Sequence, residues 1–209
     1  MRVLVVAAHP DDETIGCGGA IAKHVEAGDD VRVIALTDGV TSRRDASPYE
    51  VRMRYESYMR ATRRLGANAS QLSWHDQRLD RASLLEVTQS IERVMVADEY
   101  DILYTHWPHD VNEDHAIASR AALAACREAK TVLYFEAEGS IGFTPNWFVP
   151  LKAVHRERKE DALHCYETEE REPPHPRSGY VLMARLTCYG SKCGSAYAEG
   201  FVLGRHACS

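Results

Sequence analysis

Short apolar runs, each long enough for one buried strand, alternate along this chain with segments of helical spacing. Val3–Ala8, Val31–Leu36, Ile102–Thr105 and Val132–Phe135 are of the kind that a parallel strand covered on both faces presents, and Gln71–His75 is a weaker run between them. The spacing predicts helices over Gly16–Gly28, Tyr49–Leu65, Leu84–Val96 and Asp114–Ala129, the second of them stopped by Gly66. Strands and helices alternating in this way close into a parallel sheet through right-handed crossovers. The expected fold class is α/β, a Rossmann-like open, mostly parallel sheet with helices on both faces. After Glu136 the pattern loosens. Gly142–Pro150 reads as loop or irregular strand, Lys152–Tyr166 as helix, and Pro173-Pro174-His175-Pro176 as an extended connection.

With 209 residues, no internal repeat and no linker, the chain is read as one domain over residues 1–209. Its 25 basic and 31 acidic residues leave a formal charge of -6, which speaks against a surface built to neutralise phosphates, so a small molecule rather than nucleic acid is the expected partner. The apolar run at the start is far too short to span a bilayer and carries no cleavable signal pattern. No membrane span and a cytoplasmic location are therefore expected. The six cysteines form no CxxC pair and read as reduced packing residues; Cys188 and Cys193 are close enough in sequence to suggest an adventitious disulfide. Oligomeric state has no signature here.

The chemistry is concentrated in two loops. The first apolar run ends in His9-Pro10-Asp11-Asp12-Glu13, and the glycines Gly16, Gly18 and Gly19 arrive only later. A dinucleotide pyrophosphate needs free N–H groups at that point, and three carboxylates would repel it, whereas a divalent cation would be drawn to them. The second loop, residues 106–115, packs three histidines and three carboxylates into ten positions: His106, His109 and His115 with Asp110, Glu113 and Asp114. In common orders of open α/β sheets the first strand borders the reversal point, and the fourth strand here would lie across it, so both loops would meet over one crevice. Imidazole and carboxylate donors suit Zn²⁺, and a hydrolytic site uses about three protein ligands with one position left for water. His9, Asp12 and His115 are the candidate ligands. Water held there has its pKa lowered to about 7, and a second carboxylate is needed to take its proton.

With these residues in view, the chain resembles the PIG-L or LmbE-like deacetylases, zinc-dependent enzymes that remove acetyl groups from N-acetylglucosamine. Ala8-His9-Pro10-Asp11-Asp12-Glu13 is similar to the first motif of that family and Asp110-Val111-Asn112-Glu113-Asp114-His115 to its second. Weaker similarity runs through Leu36-Thr37-Asp38-Gly39, Leu65-Gly66 and Ala198-Glu199-Gly200-Phe201. The resemblance implies a zinc ion on His9, Asp12 and His115, Asp11 as general base, and an N-acylated amino sugar as substrate. Asp114 is expected to accept a hydrogen bond that fixes a ligand histidine. Arg54 sits where the family tends to have an arginine facing the metal loops, and would bind a substrate hydroxyl or an anion. One position departs from the pattern: well-studied members carry a histidine where this chain has Asn112, which can donate to an oxyanion but cannot protonate an amine. The proton for the departing nitrogen would then come from Asp11, His109 or His106.

The same resemblance includes metal-dependent hydratases of unsaturated dicarboxylic acids, which would need several cations around the metal, with Arg43, Arg44, Arg52 and Arg54 available. A non-catalytic sugar-binding or metal-binding protein would not need Asp11, and a dinucleotide oxidoreductase lacks its glycine fingerprint. Arg52, Arg60, Arg63 and Arg64 on one charge-rich helix read as a solvated face. His75, His155, His164 and His175 read as structural or exposed. Trp147, Phe148 and Glu136, after or at the end of the last apolar run, are open between core packing and contact with a sugar.

Overall fold

The computed structural model describes residues 1–95 and 99–207. β1 (Arg2–Ala7), β2 (Asp30–Thr37), β3 (Asn68–Trp74), β4 (Ile102–His106) and β5 (Thr131–Phe135) pair in parallel in the order β3-β2-β1-β4-β5. The expected Rossmann-like arrangement is present: β1 runs directly beside β4, with Val3 opposite Ile102 and Val6 opposite Thr105. Their ends therefore release the two histidine-bearing loops side by side. β1 alternates between two cores, Val3 and Val5 facing one and Leu4 and Val6 the other, which is what helices on both faces demand of a central strand.

On the first face lie α1 (Asp12–Glu26) and α2 (Pro48–Leu65); on the second lie α3 (Leu84–Glu92) and α4 (Glu113–Ala125). Ser47 and Glu50 form a capping box at the start of α2 and Gly66, with φ 85°, ends it. The final residue expected for the third helix, Val96, lies outside the described residues. α4 stops four residues short of the expected Ala129.

α1 begins at Asp12, inside the first motif, rather than at Gly16 as the spacing suggested. It breaks at Cys17, whose φ is -146°, between two glycines that close packing demands. A side chain at Gly16 would collide with the Phe135 ring, and one at Gly19 would strike Leu151 and the Glu199 carboxylate. The Glu199 carboxylate accepts from the backbone N–H groups of Gly19 (2.9 Å) and Ala20 (2.6 Å). Lys159 completes the repair, its Nζ reaching Glu199 at 2.6 Å and the carbonyl of Ile15 at 2.7 Å. Peptide groups freed by the break are thus satisfied by a buried ion pair.

The last third is more regular than its sequence suggested. β6 (Trp147–Leu151), α5 (Ala153–Leu163) with a 3-10 turn to Glu169, α6 (Gly179–Cys193) and β7 (Tyr197–His206) follow β5. β7 lies between β5 and β6 and runs antiparallel to both, so the sheet has seven strands and is mixed at one edge. Cys188 and Cys193 are free, as are the other described cysteines. The suggested disulfide is excluded because five residues along α6 turn the two side chains onto different sides of one helix, beyond disulfide geometry. Among the described residues no helix is long and apolar enough to cross a membrane.

Candidate metal centre and active site

Three donor atoms converge where the β1 and β4 loops meet. His9 Nδ1 lies 3.1 Å from Asp12 Oδ2 and 3.2 Å from His115 Nε2, and the latter two atoms are 3.6 Å apart. Tetrahedral zinc with bonds of about 2.0–2.2 Å puts its ligand atoms about 3.3–3.6 Å apart, so the triangle is close to the size that such an ion requires, with two edges slightly short. All three side chains are buried. Each imidazole also meets a carboxylate at its other nitrogen. His9 Nε2 is 3.1 Å from Asp76 and 3.3 Å from Asp114, and His115 Nδ1 is 3.3 Å from Asp110. Carboxylates in this position fix the ring and raise its basicity toward a metal.

Burial alone would lower the pKa of His9. Hydrogen bonds that the His9 ring donates to Asp114, Asp12 and Asp76 outweigh it and hold that pKa well above the ordinary 6.5. Burial would raise Asp12, but His115 and the neighbouring imidazoles hold it well below the ordinary carboxylate range. The cluster therefore calls for positive charge at its centre, which a proton or a divalent cation supplies. The donors, their spacing and their charge all fit a zinc-like ion.

Asp114 belongs to the first turn of α4, where carboxylates favour the helix start. Besides touching His9, its oxygens accept from the backbone N–H groups of Gln77 (2.8 Å) and Leu79 (3.0 Å), which ties the loop after β3 to the centre. Asn112 is the N-cap of α4. Its Oδ1 accepts from Asp114 N at 3.0 Å, which leaves its amide nitrogen as the donor that can serve the cavity it lines.

Asp11 stands beside the triangle in a left-handed backbone conformation, φ 116°, rare for a residue other than glycine and typical of strain held at working sites. Glu13 secures it, Oε2 accepting from Asp11 N at 3.0 Å. Burial raises the Asp11 pKa, against the opposing pull of Arg177 and Arg54. Arg54 Nη1 donates to Asp11 Oδ2 at 3.1 Å and to the Pro10 carbonyl at 2.8 Å, while Nη2 pairs with Glu169 at 2.5 Å. Arg54 thus lines the cavity, but its guanidinium is already committed to Asp11 and Glu169 rather than held ready for the expected substrate hydroxyl or anion. Arg177 reaches the same Oδ2 from the loop before α6.

Behind the triangle, Ala8 N–H donates to His106 Nε2 at 3.0 Å, and burial lowers the His106 pKa to about 4. His106 is therefore a neutral, enclosed wall stacked on His115, with ring centroids 4.1 Å apart. His109 is exposed and packs on Trp107. Neither lines the cavity, which removes both as donors to a departing amine. Trp147 packs on His206, Phe148 on Tyr189, and Glu136 accepts from Tyr189 and pairs with Arg185, so none of these three faces the cavity.

The cavity above the triangle measures roughly 250 Å³ and is mostly polar. Two of its residues, Asp76 and Arg177, escaped the sequence reading. Asp76 follows a weak strand and Arg177 a proline-rich connection, and nothing in local spacing marks either one. Of the four arginines considered for a dicarboxylate, Arg43 and Arg54 line the cavity, both paired with Glu169; Arg52 pairs with Glu56 on the surface and Arg44 is exposed.

A mostly parallel sheet with a two-histidine, one-carboxylate triangle at its reversal point defines an α/β protein whose donor set fits a metal ion. The sequence model of the PIG-L family, described as GlcNAc-PI de-N-acetylase, matches residues 4–126, and the chain belongs to this family. A diacetylchitobiose deacetylase of Thermococcus kodakarensis is 29% identical over 220 residues, covering 95% of this chain and 81% of the relative. Among solved structures, the N,N'-diacetylchitobiose deacetylase from Pyrococcus horikoshii superposes with a TM-score of 0.80 at 21% identity, covering 97% of this chain and 83% of that one. GalB, the 4-carboxy-2-hydroxymuconate hydratase of Pseudomonas putida, has the same fold, with a TM-score of 0.76 at 23% identity, covering 100% and 98%.

Proposed function

We propose that the chain is a zinc-dependent amide hydrolase that removes an N-acyl group, acetyl in the simplest case, from an amino sugar. The observation that carries this reading is the convergence of His9 Nδ1, Asp12 Oδ2 and His115 Nε2 beside a buried carboxylate that binds none of them. His9, Asp12 and His115 would hold a divalent cation, which would acidify water and polarise the amide carbonyl. Asp11 takes the proton from the attacking water through Oδ1, the oxygen that neither Arg54 nor Arg177 occupies. The two arginines hold the carboxylate in place. The Asn112 amide nitrogen donates to the carbonyl oxygen as charge gathers there. Asp11 then returns its proton to the sugar nitrogen, the C–N bond breaks, and the products are a carboxylate and a free amine. With His106 and His109 outside the cavity, a single carboxylate serves as base and then acid. The hydratase reading is disfavoured because it calls for several unpaired cations, and three of the four cavity arginines are in ion pairs, Arg43 and Arg54 with Glu169 and Arg177 with Asp11.

The test is amine release from a panel of N-acetylated glucosaminides by zinc-loaded protein, metal-stripped protein and an Asp11→Asn variant that retains its metal. Release by the first sample alone supports the reading. Zinc bound in stoichiometric amount with no release from any substrate defeats it.

A further inference from the structure

Two guanidiniums grip Asp11, and each also serves a second acid. Arg54 gives Nη1 to Asp11 Oδ2 at 3.1 Å and Nη2 to Glu169 Oε1 at 2.5 Å. Arg177 repeats the arrangement more loosely, with Nη2 on the same Oδ2 and Nε 3.5 Å from Glu138. On the far side, Arg43 Nη2 closes on Glu169 Oε1 at 2.8 Å. The result is a chain of alternating charge, Arg43 to Glu169 to Arg54 to Asp11 to Arg177 to Glu138, each member drawn from a different loop, helix or turn.

A guanidinium beside a carboxylate favours two parallel N–H···O bonds, one to each oxygen. Arg54 makes only one of them. The Pro10 carbonyl, accepting from Nη1 at 2.8 Å, fixes that arm on the Asp11 side, while Nη2 is turned to Glu169 and denied to Asp11. Oδ1 of Asp11 is thereby left clear of both arginines, and it is the oxygen that must receive the proton of water. Glu169 is suited to hold this division. Its side chain is 7% exposed, and although burial would raise its pKa, Arg43, Arg54 and Arg177 hold it below the ordinary carboxylate range, so it stays an anion. We propose that Glu169 is a positioning residue for the general base: by taking one arm of Arg54 it prevents a two-pronged Arg54 to Asp11 pair and keeps Asp11 Oδ1 open to the attacking water. This rests on the amide-hydrolase reading above.

The test uses zinc-loaded full-length protein and amine release from N-acetylated glucosaminides, comparing wild type with Glu169→Met, Glu169→Gln, Arg54→Lys and the pair Arg54→Lys/Glu169→Met. Glu169→Met keeps the volume but removes the acceptor of Nη2. Its kcat is expected to fall about thirtyfold, part of what positioned proton transfer is worth, with KM and zinc affinity within about twofold of wild type. Glu169→Gln keeps an oxygen for Nη2 and should lose only about threefold. Lysine is a point donor that can hold one oxygen without bridging two. Arg54→Lys alone should therefore cost about fivefold, yet in the Glu169→Met background it should raise kcat about fivefold, a gain that a merely structural Glu169 would not give. A crystal structure of zinc-loaded Glu169→Met should show Arg54 on both Asp11 oxygens. Where Glu169→Met does not fold, Arg43→Met/Glu169→Met, which also removes the like charge left beside Arg54, takes its place in the same comparison. With an active wild type, a Glu169→Met kcat within about twofold of it, a rise in KM alone, a paired variant slower than Glu169→Met, or an Arg54 still on one Asp11 oxygen overturns the positioning role and leaves the hydrolase intact. A wild type that releases no amine from any substrate overturns both.

Discussion

Residues 1–135 and residues 136–207 serve the site in opposite ways. The first region provides the donor triangle from the ends of two adjacent strands, each side chain fixed by a neighbouring backbone N–H or carboxylate. The second provides cover and support: Arg177 from a proline-rich loop, Glu169 from a 3-10 turn, and Lys159 and Glu199 from behind. Strand ends hold ligands rigidly, whereas loops set what may enter and how the base is oriented. Damage to the first region should therefore abolish chemistry or metal binding, and damage to the second should alter rate, selectivity or folding.

The largest effect is expected from Asp11→Asn, with kcat reduced about a thousandfold while zinc binding persists, because positioned proton transfer is worth roughly 10²–10⁴. Amine release together with metal analysis checks it, and activity within tenfold of wild type would remove Asp11 as the base. Next, Lys159→Met leaves the Glu199 carboxylate buried without its cation and should cost about 3–5 kcal/mol of stability in urea. A loss below about 1 kcal/mol would mean that the break in α1 needs no repair. Asp76→Ala should weaken zinc affinity about tenfold by freeing the His9 ring, as read by competition with a chelating dye. Arg177→Ala, acting only from the cover, should leave zinc affinity unchanged and lower kcat about tenfold. An equal loss of zinc affinity in the last two variants would erase the distinction between the two regions.

The smallest effect concerns Glu13. It accepts from Asp11 N, Thr14 Oγ1 and Tyr166 Oη, yet burial raises its pKa from 4.5 to about 7. The unfolded chain releases this proton near pH 4.5, while the folded chain keeps it to about 7. The contribution to stability is therefore full at the acid end and is lost as pH rises through 7. Glu13→Gln should flatten that slope in denaturation curves taken between pH 5 and pH 8, and an unchanged slope would assign it to other groups.

The contrast between the two regions also explains what could be read from the sequence. β1, β2, β4 and β5 announce themselves because a strand buried on both faces must be continuously apolar, and motif loops at their ends then lie on one rim by topology alone. β7 carries Gly200, Gly204 and Arg205 and pairs antiparallel with both β5 and β6, so its period is blurred. α6 had legible signals in the N-cap Ser178 and in Gly194, left-handed at φ 71°, but the loose pattern around them hid the helix. Asp76 and Arg177 belong to the site only through tertiary placement: one follows β3, the other crosses from the far side to reach a carboxylate 166 positions earlier. The use of Gly16 and Gly19 in the first motif, close approach to Phe135, Leu151 and Glu199, required the packed neighbours to be seen.

The clasp of Glu199 on α1 also bears on how the protein is made. Gly19 and the carboxylate that receives its N–H are 180 residues apart, so a ribosome completes the first motif long before the group that finishes its helix exists. During synthesis, His9 and Asp12 must wait beside an unfinished helix, and a nascent chain arrested before residue 199 should bind metal poorly even with all three donors already emerged.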